Sequence, residues 1–364
     1  MSFTEFLPDH IIRMTDNIGI MEHCIFATPD PTEGYCTDDN ARALLVALRI
    51  NGREQKKIQK LLPVFLKFLI GARTPKGFHQ DLNSDLTWKN DDGTGEGFGR
   101  AMAALGEAAI SAPTDDQKLT SAFVFDQQIP LVSKVDQPRA LAQVIIGISH
   151  RVKFETTYSN LVPLLIMRKK LKGDILEKLP LDLKREMARL ADKLIINYQK
   201  SSTESWKWYE DVLSYNNGRI PLSLFYAYQT IGDKKYLRIA KESLDFLLKQ
   251  TYDTTKDCFS FPGYRGWFPK NGKKAVFGQQ PIEAGSTVEA CSLAYEITRK
   301  KDYRDFAMKA FEWYTGRNIL KISLLDQETK GVRDGLEPWG VNPNEGAESI
   351  LSYALAYFAL NGKK

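Results

Sequence analysis

Histidine and cysteine are scarce in this 364-residue chain, four of each, and the scarcity removes several chemistries. His10, His23, His79 and His150 form no HExxH or other metal-ligand spacing, so no metal centre is expected. Cys24, Cys36, Cys258 and Cys291 form no CxxC pair, which argues against a disulfide framework and suits a reducing compartment. Apolar runs are short. None reaches the roughly 18 residues that span a bilayer, and Met1-Ser2-Phe3-Thr4-Glu5 lacks the basic and apolar regions of a secretory signal. A cytoplasmic protein without membrane contact is the expectation. An excess of one charge is also missing: 50 basic residues stand against 45 acidic ones, a formal charge of +5, which does not imply nucleic acid. The lysine clusters at Lys56-Lys57, Lys169-Lys170 and Lys300-Lys301 read as solvated outer faces. No GxSxG, GxGxxG or P-loop is present, and no cofactor is expected.

Helical periodicity fills most of the chain. The stretch Gly34 to Leu48 carries Ala41, Leu44, Leu45 and Leu48 at helical spacing, enters through Thr37 or Asp38 as N-cap, and stops at Asn51-Gly52. A second helix is expected at Gln55 to Leu69. The pattern then recurs: Glu96 to Ile110 with Asp116 to Val132; Asp136 to His150 with the helical region Tyr158 to Gln199; Asn217 to Ile231 with Asp233 to Gln250; Pro281 to Thr298 with Asp302 to Arg317; and Gly346 to Leu360 with the N-terminal segment. First members are rich in Ala, Gly and Ser, whereas second members carry large apolar stripes with many Lys and Glu. Helices packed on all sides favour small residues, and helices facing water on one side are amphipathic. The expected fold is therefore all-α, a single (α/α)6 toroid over residues 1–364 with six first members inside and six second members outside. A small β-hairpin is expected near 259–277.

In such a toroid the loops leading into the inner helices open at one end, and their polar residues converge on one cavity. Those loops hold Tyr35, Asp38, Asp39 and Asn40, followed by Arg42; Trp88 and Asp92 up to Glu96 and Arg100; Trp206, Trp208, Glu210, Asp211, Tyr215 and Asn217; Trp267 up to Glu283; and Asp334, Trp339, Asn342 and Glu345 up to Glu348. Five of the six tryptophans fall there, Trp313 being the exception. Two successive carboxylates at the start of the first inner helix exceed what a cap needs. Flat aromatic faces stack on the apolar faces of pyranose rings, and carboxylates, amides and guanidinium groups hold hydroxyls, so this composition points to a carbohydrate site. The same residue types can cleave a glycosidic bond, one carboxyl protonating the leaving oxygen while another attacks or activates water. Asp38 with Asp39 and Glu210 with Asp211 are the closely spaced pairs. A helix-tying role is open for Glu289 and Glu348. Cys36, beside two aspartates that raise its pKa, reads as a packing residue.

Asp9-His10-Ile11-Ile12-Arg13-Met14-Thr15-Asp16, Gly34-Tyr35-Cys36-Thr37-Asp38-Asp39-Asn40-Ala41-Arg42-Ala43, Glu210-Asp211-Val212-Leu213-Ser214-Tyr215, Gln280-Pro281-Ile282-Glu283-Ala284 and Gly346-Ala347-Glu348-Ser349 together resemble a bacterial family of (α/α)6-toroid domains. That family is similar to the six-hairpin glycosidases, and its members occur alone or beside glycosyltransferases and mannoside-processing enzymes. The resemblance implies that Asp38, Asp39, Arg42, Glu210, Asp211, Glu283 and Glu348 face the cavity. The chain departs from the pattern in having no histidine in Thr94 to Arg100 and Glu345 where glutamine is usual.

Three expectations follow. The first is a glycoside hydrolase acting on a short oligosaccharide, mannose-containing among the candidates, with Asp39 and Asp211 as the carboxyl pair and an inverting outcome. The second is a sugar isomerase or epimerase, which usually needs a histidine acid/base pair that this chain is poor in. The third is a glycan-binding module without turnover that serves a glycosyltransferase.

Overall fold

The computed structural model describes residues 5–171 and 182–361. Its helices are α1 (Asp9–Met14), α2 (Thr37–Arg49), α3 (Gln55–Gln59), α4 (Leu62–Ala72), α5 (Glu96–Ser111), α6 (Asp115–Gln128), α7 (Pro138–Thr157), α8 (Val162–Leu171), α9 (Leu183–Ser201), α10 (Arg219–Ile231), α11 (Lys234–Thr251), α12 (Pro281–Thr298), α13 (Lys301–Glu312) and α14 (Ala347–Asn361). Helices α2, α5, α7, α10, α12 and α14 each pack on the next, and α14 returns to α2, which closes the inner ring. Outside it lie α4 on α2, α6 on α5, α9 on α7, α11 on α10, α13 on α12 and α1 on α14. This is an (α/α)6 toroid, with the N-terminal helix completing the last hairpin. The interruption expected near Gly173 and Pro180 lies outside the described residues.

The alternation follows from side-chain size. Helices of the inner ring touch neighbours on both flanks and an outer helix behind, so bulk is tolerated only in places. The largest helix–helix contact is α5 on α7, where Gly106 and Gly147 meet backbone to backbone: a Cβ on Gly106 would stand 2.3 Å from the Gly147 carbonyl oxygen. Outer helices α9, α11 and α13 bury one apolar stripe and leave their charges in solvent.

Several boundaries differ from the sequence reading, each for a local reason. Cys36 is the N-cap of α2, not Thr37 or Asp38: its sulfur accepts the Asp39 N–H at 3.3 Å. The strand pair Tyr35–Cys36 with Asp81–Leu82 holds Cys36 extended, and Thr37 uses its hydroxyl on the His79 carbonyl. The expected helix Gln55 to Leu69 is split into α3 and α4, with Pro63 in the first turn of α4, where its missing N–H is harmless. Helix α7 runs past His150 to Thr157, so His150 is not at a helix end but a half-buried neighbour of Glu107 and Tyr226. Among the described residues six two-stranded ribbons decorate the ring. One, Tyr252–Asp253 with Cys258–Phe259, borders the 259–277 stretch, and Phe268–Pro269 within that stretch pairs with Val212–Leu213.

Deep in the ring, charged residues replace apolar packing. Arg49 on α2 binds Glu107 on α5 through Nε and Nη2 at 2.7 and 2.6 Å, and Glu289 on α12 through Nη1 at 2.9 Å. Arg219 on α10 binds the other Glu289 oxygen at 2.6 Å. Glu289 therefore ties inner helices together. Among the described residues no helix is long and apolar enough to cross a membrane, and all four cysteines are free and buried.

Candidate active site

The residues just before and within the first turns of the inner helices build two cavities that share a wall. The first, about 370 Å³, is lined among others by Glu22, His23, Asp38, Asp39, Arg42, Tyr264, Asp334, Glu337, Asn342 and Glu348. The second, about 430 Å³, is lined by Glu96, Arg100, Gln137, Arg139, Glu210, Ser214 and Tyr215. Asp38, Gln80 and Glu348 line both, so the two form one cleft.

Arginines from successive inner helices set the geometry. Arg42, one and a half turns into α2, holds Asp39 Oδ1 through Nη1 and Glu348 Oε2 through Nη2 at 2.6 Å. Arg100 on α5 pairs with Asp38 at 2.9 Å and with Glu96 at 3.4 Å. Arg139 on α7 reaches Glu210 at 2.8 Å and Ser214 Oγ at 2.6 Å, with its guanidinium 4.8 Å from the centre of the Tyr215 ring. Arg139 stands in the first turn of α7, where the dipole disfavours a cation, and all three arginines are held by carboxylates. Asp38 Oδ1 has no hydrogen-bond partner among the described residues and is buried.

Carboxyl groups crowd the first cavity. Burial pushes Glu22 up to about 8, with Asp39, Asp81 and Asp38 adding to the shift. Burial also raises Asp39; Arg42 opposes this, and Glu348 and Asp38 reinforce it. Asp334, which accepts hydrogen bonds from Ser349 Oγ at 2.6 Å and the Gly346 N–H at 2.8 Å, is pushed by burial up to about 6. Oxygens of Glu22 and Asp39 and the Cys36 sulfur lie within 4.8 Å of one another. These are the groups closest to a metal-ligand set among the described residues. The fit is poor. Burial and then Asp39 keep the Cys36 thiol protonated, whereas a metal is held by the thiolate.

Of the site residues expected from sequence, Asp38, Asp39, Arg42, Asp334, Asn342 and Glu348 line the first cavity, and Glu96, Arg100, Glu210 and Tyr215 line the second. Asp211 lines neither. Its side chain is 75% exposed and is held by Lys270 at 3.0 Å and Ser201 Oγ at 2.8 Å, which lower its pKa, Ser201 first. The Asp39–Asp211 pairing is thereby replaced, because the ribbon at Val212–Leu213 turns Asp211 outward toward Phe268–Pro269.

The tryptophans are also redistributed. Trp206 and Trp208 are buried against Phe246, and Trp88 stacks on His79 at 5.2 Å. Trp267 lies 5.8 Å from Tyr215, and Trp339 is exposed on a hairpin turn. Large rings beside an outer helix bury more area in the core than in a wet cavity, and the cavity's aromatic walls are Tyr264 and Tyr215 instead. The remaining residues support the walls. Tyr35 donates to Asp16 at 2.6 Å, Asn40 holds the Ile20 N–H at 3.0 Å, and Asp92 accepts from Thr74 at 2.9 Å. Asn217 donates to Glu283 at 2.8 Å, and burial pushes Glu283 up to about 7. Glu345 accepts from Thr329 at 2.7 Å.

Glu22 and Arg139 escaped the sequence reading. Arg139 carried a usable signal, a cation in the first turn of a helix directly after Pro138. Glu22 carried none: contacts distant in sequence, among them its carbonyl with the Ala347 N–H and its N–H with the Gly34 carbonyl, bring it to the cavity.

No family model and no curated protein matches the chain. Solved structures do match over nearly its whole length. A cellobiose 2-epimerase from Bacillus thermoamylovorans superposes with a TM-score of 0.68 at 13% identity, covering 98% of this chain and 95% of that one. A D-mannose isomerase gives 0.63 at 10% identity, covering 98% and 96%. An α-1,6-mannanase of Salegentibacter, inactive through replacement of two adjacent aspartates by alanine and bound to α-1,6-mannotetrose, gives 0.57 at 12% identity, covering 96% and 94%. The fold is that of the six-hairpin glycosidase-like toroids. The hydrolase, epimerase and isomerase structures share it, so the fold does not set the reaction.

Proposed function

We propose that this toroid is a glycoside hydrolase acting on short, mannose-containing oligosaccharides, with Glu22 and Asp39 as its carboxyl pair. The observation that carries the reading is the spacing: oxygens of the two groups stand within 4.8 Å of each other at the cavity wall. Oxygens that close leave little room between them for the attacking water that inverting enzymes hold between carboxyls roughly 6.5–9.5 Å apart, so a retaining outcome is proposed in place of the inverting one expected from the fold. Their surroundings divide the roles. Glu22, pushed up to about 8, holds a proton at neutral pH and gives it to the leaving glycosidic oxygen. Asp39, whose charge is balanced by Arg42, attacks the anomeric carbon as that C–O bond breaks. Glu22 then takes a proton from water, which displaces Asp39 and completes the hydrolysis.

The mannanase made inactive by replacing two adjacent aspartates favours a carboxyl role for Asp39, since Asp38 and Asp39 are adjacent here and both line the cavity. An isomerase or epimerase is disfavoured by the acid/base groups available: among the described residues His23 is the one histidine lining either cavity, where a pair is needed. A glycan-binding module beside a glycosyltransferase would keep the cleft without turnover. Four unpaired cysteines support a cytoplasmic setting.

The test is incubation with manno-, gluco- and galacto-oligosaccharides, products being followed by chromatography and the new anomeric centre by proton NMR. Glu22→Gln and Asp39→Asn should each lose on the order of 100- to 10,000-fold in turnover, whereas Asp211→Asn should match wild type. Turnover by wild type that survives Asp39→Asn removes the assigned pair, and sugar epimers in place of shorter chains replace the hydrolase with an epimerase.

A further inference from the structure

We propose that Trp339 is the platform of an outer sugar subsite, placed on the rim so that a glycan longer than the cavity is held by a unit stacked on its indole. The inference rests on the carbohydrate reading of the cleft and adds where the chain leaves it. Among the large hydrophobic side chains described, Trp339 is the most exposed, at 70%. An indole left in water gains nothing for folding. Its place beside the cavity is nonetheless set by the hairpin that carries it. Trp339 lies in the turn between the strands Gly335–Glu337 and Gly340–Asn342, and Glu337 and Asn342, one on each strand, line the first cavity.

A cation braces the ring. The Arg265 guanidinium stands 5.4 Å from the centre of the Trp339 ring and 5.2 Å from that of Tyr264, and its Nε binds Glu337 at 3.2 Å. Tyr264 and Glu337 are themselves cavity wall. A continuous path of aromatic surface and charge therefore runs from the cavity, through Tyr264 and Arg265, to Trp339. The arrangement matches a pyranose, which offers an apolar face to stack and hydroxyls at its edge for a guanidinium or carboxylate to hold. A protein partner fits less well, because an interface core needs a contiguous apolar area around its aromatic anchor, and the groups that frame this ring are the charged pair Arg265–Glu337.

The subsite predicts a dependence on chain length. Binding of α-1,6-mannobiose and α-1,6-mannotetraose is measured by calorimetry on wild type, Trp339→Ala and Trp339→Phe. The tetraose should bind wild type more tightly than the biose. Trp339→Ala should weaken the tetraose about tenfold, the size of a modest aromatic anchor, leave the biose unchanged, and be largely rescued by Trp339→Phe. Equal affinity of wild type and Trp339→Ala for the tetraose, equal loss on both sugars, or no binding of either sugar overturns the subsite. The titration needs no turnover, so a length-dependent affinity without products would refute the hydrolase and leave the platform standing.

Discussion

Replacing Gly106 by alanine tests whether small residues really set the diameter of the inner ring. The new Cβ would lie 2.3 Å from the Gly147 carbonyl oxygen and 2.8 Å from its carbonyl carbon and Cα, where ordinary contact begins at 3.4 Å. All three atoms are backbone of α7, so no side chain can swing away. The two helices must part by about 1 Å, against close packing on both flanks. Overpacking of this kind costs about 1–3 kcal/mol and sometimes more, and the rigid partner argues for the upper end. Alanine returns about 0.5–1 kcal/mol as the better helix former. The net expectation is a loss of about 2 kcal/mol, read as a lower urea midpoint at unchanged slope. Gly147→Ala, whose Cβ would meet the Met102 carbonyl at 2.4 Å, should behave alike, and the double variant should lose less than the sum because one separation relieves both contacts. Gly71→Ala on outer helix α4 is the control: its nearest neighbour would be Trp88 at 3.8 Å, so it should be neutral or stabilising. Gly106→Ala as stable as wild type would refute the account of the ring.

The central charge cluster and the cavity acid make two more predictions. Arg49→Met leaves Glu107 and Glu289 without the cation they share, and breaking a buried pair from one side costs about 3–5 kcal/mol; urea unfolding should show it, with partial recovery when Glu107→Met is added. Glu22, pushed up to about 8, is protonated below that pH, so activity that needs its proton should fall as pH rises through about 8. Glu22→Gln should abolish the activity along with that limb, and a flat profile in wild type from pH 7 to 9 would exclude Glu22 as the acid. The same raised value means the folded state binds a proton that the unfolded chain, near 4.5, has lost. Stability from this group is accordingly greatest below about 4.5 and diminishes as pH climbs toward about 8.

The ring was legible in the chain because it is written locally. Ala41, Ala101, Ala140, Ala284 and Ala347 mark inner helices by size, and the apolar stripes of α9, α11 and α13 mark outer ones by period. Boundaries failed where a long-range contact outranked propensity, as when the strand pairing of Tyr35–Cys36 moved the cap of α2 to Cys36. The cleft was legible in part. Asp38, Asp39, Arg42 and Glu348 follow from their place at helix starts, which the topology gathers at one end. Tryptophans in the same loops did not follow the rule, because an indole can satisfy itself equally in the core, as Trp208 does, or on a rim, as Trp339 does.

By itself the sequence determined the all-α class, the count of hairpins and the end of the ring at which carboxylates collect, since periodicity, residue size and loop position are properties of neighbours along the chain. Only the tertiary structure decided which carboxyls meet. Asp211 adjoins Glu210 in sequence yet faces solvent beside Lys270, while Glu22, in a loop with no signal of its own, stands within 4.8 Å of Asp39. A pair of acids becomes a pair through distance and shared burial, which the fold sets and sequence adjacency does not.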